Sequence, residues 1–176
     1  MATNRAAQAG RRFQNSKPPL DAANVRILQA LQADPRISMS ELGRRVGMSA
    51  PAVTERVQRL EEGGVIRGYR VDIDPAAVGY PVAAWVRVRP GPGQLMKIAE
   101  LATAIPEVVE CHRITGEDCF LMKVYVEAVD ELETVLDRFL LYGQTTSSIV
   151  QSSPVPARPV PLPADRYHLV RHATGR

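Results

Sequence analysis

Apolar residues recur at helical spacing in three short segments near the start of the chain, and polar residues fill the positions between them. The three apolar stripes are formed by Val25, Leu28 and Leu31, by Leu42 and Val46, and by Val53, Val57 and Leu60. Side chains three or four residues apart lie on the same face of an α-helix, so each stripe indicates a helix with one buried face. The pattern therefore predicts three consecutive amphipathic helices, the first of them capped by Asp21.

A tight turn separates the second predicted helix from the third. Ser38 and Glu41 have the spacing of a capping box at the start of the second helix. Gly47 supplies the permissive backbone that a sharp turn requires. Ser49 is an N-cap candidate for the third helix, and Pro51 is tolerated in its first turn. Two short helices around such a turn form a helix-turn-helix.

The exposed face of the third helix carries the first candidate site. With its apolar stripe turned inward, this helix presents polar side chains that can enter a DNA major groove and contact bases or phosphates. The candidate DNA-binding residues are Ser49, Pro51, Thr54, Glu55, Arg56, Gln58, Arg59 and, beyond the helix, Arg67. A solvated charged face on an ordinary helical hairpin is the alternative, and Glu61 and Glu62 favour it because carboxylates repel phosphate.

Apolar and polar residues alternate in several segments of the remaining chain. Residues 65–73 alternate and carry Arg67 and Arg70, which predicts a basic strand and, with the three helices, a winged helix. Further strands are predicted at 82–89, 108–115, 120–127 and 144–151, and helices at 94–105 and 129–141. The order βαββαβ is that of a ferredoxin-like split unit. The predicted fold class is α+β, with an N-terminal winged helix-turn-helix domain joined to a C-terminal ferredoxin-like domain.

Composition and charge divide the chain into segments of different character. The expected segments are a disordered basic arm (1–17), the winged helix-turn-helix (18–74), a linker (75–81), the ferredoxin-like domain (82–153) and a Pro-rich tail (154–176). Residues 1–80 hold 12 basic and 8 acidic side chains, whereas residues 81–153 hold 6 and 10. The positive charge therefore lies with the proposed DNA-binding half, as phosphate contacts require, although a surplus of this size also serves solubility.

The cysteines and histidines do not form the pattern of a metal site. Cys111 and His112 are adjacent in a predicted strand, so their side chains point to opposite faces. His168 and His172 have zinc-like spacing but lack partner ligands nearby. No nucleophile elbow, Walker loop or dinucleotide fingerprint is present, so neither a catalytic residue nor a cofactor is predicted. No apolar run reaches membrane-spanning length and the N-terminal segment lacks an apolar signal core, so we expect a cytoplasmic protein.

Two segments, LDAANVRILQALQADPRISMSELGRRVGMS and VTERVQRLEEGGVIRGYRVDIDPAAVGY, resemble the DNA-binding half of the Lrp/AsnC (feast/famine) transcriptional regulators. The run RLEEGGVIRGYRVDIDPAAVG is distinctive, and the resemblance extends over residues 20–152. It implies a regulator that binds specific double-stranded DNA and whose C-terminal half forms dimers and senses a small effector, usually an amino acid. It also implies dimers that assemble into octamers, with effector binding altering assembly and hence DNA binding through differential affinity.

The same resemblance points to the loop between the second and third strands of the C-terminal half as the effector site. The family often has the residues G-D-Y-D there, lining a pocket between neighbouring dimers. Cys119 departs from this pattern, which leaves Glu117 and Asp118 as the candidates to meet an α-ammonium group. A polar hairpin turn without a ligand is the alternative. The candidate effector-binding residues are Gly116, Glu117, Asp118, Cys119, Thr146 and Ser148.

Two other functions stay open from the sequence. A DNA-packaging protein that binds without a small-molecule signal is consistent with Cys119 in the loop and with the basic arm. Sirohaem decarboxylases share the two-domain plan as enzymes, and they require a basic, histidine-bearing cleft for a tetrapyrrole. The acidic C-terminal half has His112 as its one histidine, which disfavours the enzyme.

Overall fold

The computed structural model describes residues 20–163, which divide into two compact units. The N-terminal unit comprises residues 20–71 together with 157–163, and the C-terminal unit comprises residues 72–156. The predicted basic arm and the two histidines of the tail, His168 and His172, lie outside the described residues. Within 20–163, no helix is both long enough and apolar enough to cross a membrane.

Three helices build the N-terminal unit: α1 (Ala22–Ala33), α2 (Met39–Val46) and α3 (Ala50–Glu62). Their predicted apolar stripes meet in one hydrophobic cluster. Burial of a Leu, Ile or Val side chain contributes about 1.5–3 kcal/mol, so this cluster fixes the rotation of each helix about its axis. The opposite face of α3 is therefore left to solvent. The most deeply buried members of the cluster are Ile27, Leu42, Val53 and Leu60.

A side-chain oxygen caps the first turn of each of these helices. Asp21, Ser38 and Ser49 each accept the backbone N–H of the residue three positions later, at 2.7, 3.2 and 3.4 Å. Such a cap satisfies one of the N–H groups that have no partner inside the helix. The predicted capping box on α2 is only half formed, because the Glu41 carboxylate pairs with arginines one turn later on its own helix.

The predicted wing strand at residues 65–73 is wrong. These residues adopt neither helix nor strand, and only a short 3₁₀ turn (Ala76–Val78) follows before the first strand of the C-terminal unit. A strand requires a neighbour for its backbone N–H and C=O groups, and no neighbouring strand is present here among the described residues. Val71 is accordingly 83% exposed. The segment is held to α3 by the Tyr69 hydroxyl, which donates to Glu61 at 2.9 Å.

The C-terminal unit has the predicted βαββαβ order. Its elements are β1 (Val82–Pro90), α4 (Leu95–Ala104), β2 (Val108–Arg113), β3 (Phe120–Val126), α5 (Val129–Leu140) and β4 (Gly143–Ile149). The four strands form one sheet in the order β2-β3-β1-β4, and every neighbouring pair is antiparallel. The predicted α+β fold class is therefore confirmed.

The two faces of this sheet differ in character. Alternate side chains of β1 and β3, including Val86, Val88 and Met122, are buried together with the apolar residues of α4 and α5. Because successive side chains of a strand point to opposite faces, the intervening residues lie on the face away from the helices. We call this second surface the open face, and its members on β1 and β3 include Trp85, Arg87, Arg89, Leu121, Lys123 and Tyr125.

Candidate DNA interface and effector loop

Two glycines set the turn that joins α2 to α3. Gly47 ends α2 in the left-handed region, with a φ of 71° that L side chains rarely adopt. Gly43, inside α2, faces the turn itself. A Cβ on Gly43 would lie 2.7 Å from the Met48 carbonyl oxygen, which is closer than real Cβ contacts allow. The absent side chain lets α2 approach the start of α3 and so determines where the exposed face of α3 points.

The exposed face of α3 holds most of the residues predicted to bind DNA. Arg59 is the most useful of them for contacting a phosphate or a guanine, since its side chain is 68% exposed. It forms a pair with Glu55 one turn away on the same helix. A surface pair of this kind is worth only about 0.3–0.5 kcal/mol, so a nucleic-acid group can replace the carboxylate. The exposed residues are Ser49, Pro51, Glu55, Gln58 and Arg59.

Arg56, which we predicted to contact DNA, pairs with residues of its own domain in this structure. Its Nη1 lies 2.7 Å from Asp21 Oδ2 and 3.0 Å from Asn24 Oδ1, so it ties α3 to the start of α1. The Asn24 backbone N–H and then the Arg56 guanidinium hold the pKa of Asp21 below its ordinary value. Sequence spacing could not reveal this pair, because the partners are 35 residues apart.

Two further predicted residues, Thr54 and Arg67, lie outside the exposed face of α3. Thr54 is half-buried, and its hydroxyl donates to the Ala50 carbonyl at 2.8 Å, so it packs along the helix. Arg67 is exposed and lies in the irregular segment after α3. That segment lines a surface groove of about 240 Å³ together with Leu28 and Leu31 of α1. The structure thus divides the predicted DNA-binding residues into three groups. These are the exposed residues of α3 and its N-cap, the half-buried Thr54 and Arg56, and Arg67 in the segment after the helix.

The predicted effector loop connects β2 to β3 as a hairpin. Gly116 has a φ of 110°, and the Ile114 N–H donates to the Cys119 carbonyl at 3.0 Å to close the loop. Cys119 is half-buried and packs against the core of the C-terminal unit. Its thiol lies 3.9 Å from the Glu117 carbonyl, a weak contact. Cys119 therefore serves as an apolar support for the loop in this structure.

Both acidic side chains of the loop meet arginines of β1. Glu117 contacts Arg89, and Asp118 Oδ1 lies 3.6 Å from the Arg89 Nε while its Oδ2 lies 3.9 Å from the Arg87 Nε. We call these four residues the arginine–carboxylate cluster. The two charges of each sign balance within it. The sequence offered Glu117 and Asp118 to a ligand, but in the structure both carboxylates are already paired. A ligand ammonium group therefore has to compete with guanidinium groups for them.

The hydroxyls predicted on the last strand lie on the same sheet face as this cluster. Thr146 is paired with Arg87 across β4 and β1, and Ser148 is paired with Trp85 one step further along. Directly paired residues of antiparallel strands share a face, so Thr146 lies beside the cluster and Ser148 beside the tryptophan. Sequence reasoning missed Arg87 and Arg89, although their alternation with buried valines in VAAWVRVR is a signal that could have found them.

Potential metal ligands are dispersed in the described part of the chain. Among residues 20–163, no three His, Cys, Asp or Glu side chains could hold a metal ion together. His112 lies 3.4 Å from Glu110 on its own strand. Desolvation raises the pKa of the Cys111 thiol even though the residue is exposed, so its reactive thiolate form is disfavoured.

Comparison with known proteins gives matches to both halves of the chain. Residues 20–67 match the winged helix-turn-helix DNA-binding family, and residues 82–160 match the Lrp/AsnC ligand-binding domain. The HTH-type transcriptional regulator LrpC of Bacillus subtilis is 32% identical over 133 residues, which cover 76% of this chain and 92% of LrpC.

Solved structures give the same result. A transcriptional regulator from Neisseria meningitidis, in complex with L-Met, superposes with a TM-score of 0.76 at 27% identity and covers 82% of this chain and 98% of its own. The M. tuberculosis feast or famine regulatory protein, complexed with L-methionine, has a TM-score of 0.72 at 34% identity and covers 80% and 99%. These relatives are transcriptional regulators, which disfavours the tetrapyrrole alternative. The chain belongs to the Lrp/AsnC family of DNA-binding transcriptional regulators.

Proposed function

We propose that this regulator contacts specific DNA through the exposed face of α3 and that an amino acid bound at the arginine–carboxylate cluster modulates this binding. The observation that carries the DNA part is the buried stripe of α3, which fixes Arg59 and Gln58 on the outer face of the helix. Ser49 and Pro51 place the N-terminal end of that face near base edges, and Arg67 contacts phosphate. We assign Thr54 and Arg56 a positioning role instead.

The effector part rests on charge complementarity. A zwitterionic amino acid presents one carboxylate and one ammonium group, and the cluster offers two guanidinium groups and two carboxylates. Binding replaces ion pairs within the cluster by ion pairs with the ligand, so no charge in the site is left unpaired. The Thr146 hydroxyl supplies a further donor beside Arg87. The L-methionine complexes of the Neisseria and M. tuberculosis regulators support an amino acid as the ligand class.

We further propose that the protein acts as a dimer that assembles into larger oligomers, up to an octamer, in the cytoplasm. A dimer can read two half-sites about 34–36 Å apart, which a single helix-turn-helix cannot do. The open face, with half-buried Trp85 and Tyr125, supplies an aromatic surface for self-association. The proposed division of labour assigns DNA binding to residues 18–74 and effector binding and assembly to 82–153, joined by the linker 75–81.

A titration calorimetry experiment tests the effector site. L-methionine and the other amino acids are titrated into the wild type, into Asp118→Ala and into Glu110→Ala, which removes an exposed acid of β2 outside the cluster. We expect binding by the wild type and Glu110→Ala, and a loss of at least tenfold in affinity for Asp118→Ala, because a charge-assisted hydrogen bond contributes about 1.5–3 kcal/mol. Equal affinity in both variants would remove the cluster from the site.

The alternative of an effector-independent DNA-packaging protein has one observation in its favour. Glu117 and Asp118 are already neutralised by Arg87 and Arg89, so the loop is electrostatically complete without a ligand. In that case, no amino acid gives measurable heat with the wild type, and DNA binding shows no dependence on sequence.

A further inference from the structure

A proline-rich segment follows the last strand of the C-terminal unit. After β4, residues 150–162 form neither helix nor strand. From residue 154 onward, proline occupies every second or third position, at 154, 156, 159, 161 and 163. Proline locks φ and lacks an N–H donor, so such a segment favours extended polyproline-like backbone and cannot complete a sheet. Its composition is that of a stiff connector.

One side chain of this connector is buried in the N-terminal unit. Leu162 is only 7% exposed and belongs to the same hydrophobic cluster as the stripes of α1, α2 and α3. Val160, two residues earlier, is 74% exposed, so the burial is specific to one position. The Gln32 side-chain amide of α1 donates to the Val160 carbonyl at 3.2 Å, which adds a polar anchor.

We infer that residues 157–163 are a strap that completes the hydrophobic core of the N-terminal unit and joins the C-terminal unit to it through a second covalent connection. The chain leaves the N-terminal unit after residue 71 and returns to it at residue 157. Leu162 lies beyond residue 160, where the match to the Lrp/AsnC ligand-binding domain ends. The buried end of the strap therefore lies outside that match.

The prolines explain how so short an anchor stays in place. They restrict the free tail before it docks, so less conformational entropy is lost on docking than for an ordinary flexible segment. The attachment of the tail to the rest of the chain also makes docking intramolecular, which raises the effective concentration of Leu162 at its site. The buried Leu162 side chain and the Gln32 hydrogen bond both contribute to holding the strap.

The regulatory consequence rests on the proposed function. The strap docks beside α1, whose start is tied to α3 by the pairs that Arg56 makes with Asp21 and Asn24. A rearrangement of the C-terminal unit that pulls on the strap thus acts on the helix that supports the DNA-binding face. With two connections instead of one, fewer relative motions are available to the two units.

Hydrogen exchange of the full-length protein tests the strap without reference to DNA or to an effector. Leu162→Asp places a charge at the buried position, and Val160→Asp is the matched control on an exposed neighbour whose carbonyl still accepts from Gln32. We expect amides of α1 to exchange about ten- to a hundredfold faster in Leu162→Asp than in the wild type or the control. Equal exchange in all three proteins would overturn the strap.

A milder variant keeps the test informative if Leu162→Asp does not fold. Leu162→Ala should raise exchange in α1 to a smaller extent and leave the exchange of the β1–β3 amides unchanged. Operator affinity of the wild type, Leu162→Ala and Val160→Ala is then measured with and without L-methionine, and we expect the methionine effect to shrink only in Leu162→Ala. An unchanged effect removes the coupling role, whereas failure of all three proteins to bind DNA contradicts the proposed function and leaves the exchange result standing.

Discussion

Arg56 and Arg59 lie three residues apart on α3, yet the structure gives them different partners. Both fall on or beside the polar face that the apolar spacing predicts, so the sequence assigns them together to DNA. The difference comes from Asp21 and Asn24, which are distant in sequence and reach Arg56 only once α1 has packed against α3. At the residue scale, the sequence predicts on which side of the helix a side chain lies. It does not predict the distant residue with which that side chain pairs.

Replacement of the two arginines separates binding from support. Arg59→Ala should weaken binding to the specific operator by about 1–3 kcal/mol if the guanidinium reads a guanine, with little change in melting temperature. If the guanidinium contacts a phosphate instead, the loss of affinity should be similar on all DNA sequences. The slope of log affinity against log salt concentration should then become shallower by about one. Arg56→Met should lower the melting temperature because α3 loses its tie to α1. Fluorescence anisotropy and thermal unfolding measure both quantities, and an Arg59→Ala variant with wild-type affinity would exclude Arg59 from the interface.

The lowered pKa of Asp21 makes a prediction for acid stability. A carboxyl group whose pKa is lower in the folded than in the unfolded state stabilises the fold above its ordinary pKa, and this contribution is lost as pH falls through the folded value. Asp21→Asn should therefore be less stable than the wild type near neutral pH, and the difference should shrink below about pH 4. Melting curves over an acid pH series check this. Asp72→Asn, on the exposed irregular segment, serves as the control, and a constant difference across pH contradicts the assignment.

At the scale of elements, the positions of the helices and of β1 and β3 follow from the apolar spacing, because each of these elements buries one face. The strands β2 and β4 hold no buried residue. The segment 65–73 is the exception to the relation between spacing and structure. Its alternation is that of a strand, but no neighbouring strand is present for it among the described residues, and the segment stays irregular. The effector loop shows a related limit. Its hairpin was predictable, whereas the ion pairs of Glu117 and Asp118 depend on the register that places Arg87 and Arg89 beside it.

The helix-turn-helix depends on a glycine that the sequence pattern did not single out. Gly43→Ala places a Cβ 2.7 Å from the Met48 carbonyl oxygen, and backbone atoms must move to admit it. We expect a loss of about 1–3 kcal/mol in the free energy of unfolding, typical of overpacking at a tight contact. Ser40→Ala on the exposed side of the same helix is the control. Urea denaturation gives the free energy of unfolding of both variants. A Gly43→Ala protein as stable as the control would show that the turn accommodates the methyl group without strain.

At the scale of the whole molecule, the chain concentrates positive charge in its N-terminal part and an acidic surplus in residues 81–153. This separation directs DNA to the helix-turn-helix and away from the effector-binding half, since phosphate is repelled by acidic surface. The strap formed by residues 157–163 then links the two functions through a second connection. Domain order and family were readable from sequence, but the return of the tail to the first unit rests on one leucine in a proline-rich segment and was not.

The most direct test of the central claim is binding to DNA from the protein's own upstream region, compared with a scrambled duplex, over a salt series and with each amino acid added. A specific regulator should prefer its operator by a thousandfold or more at physiological salt, and one amino acid should shift that affinity. The shift should disappear in Asp118→Ala and persist in Glu110→Ala. Equal affinity for both duplexes, lost together as salt rises, would contradict the account and point to DNA packaging.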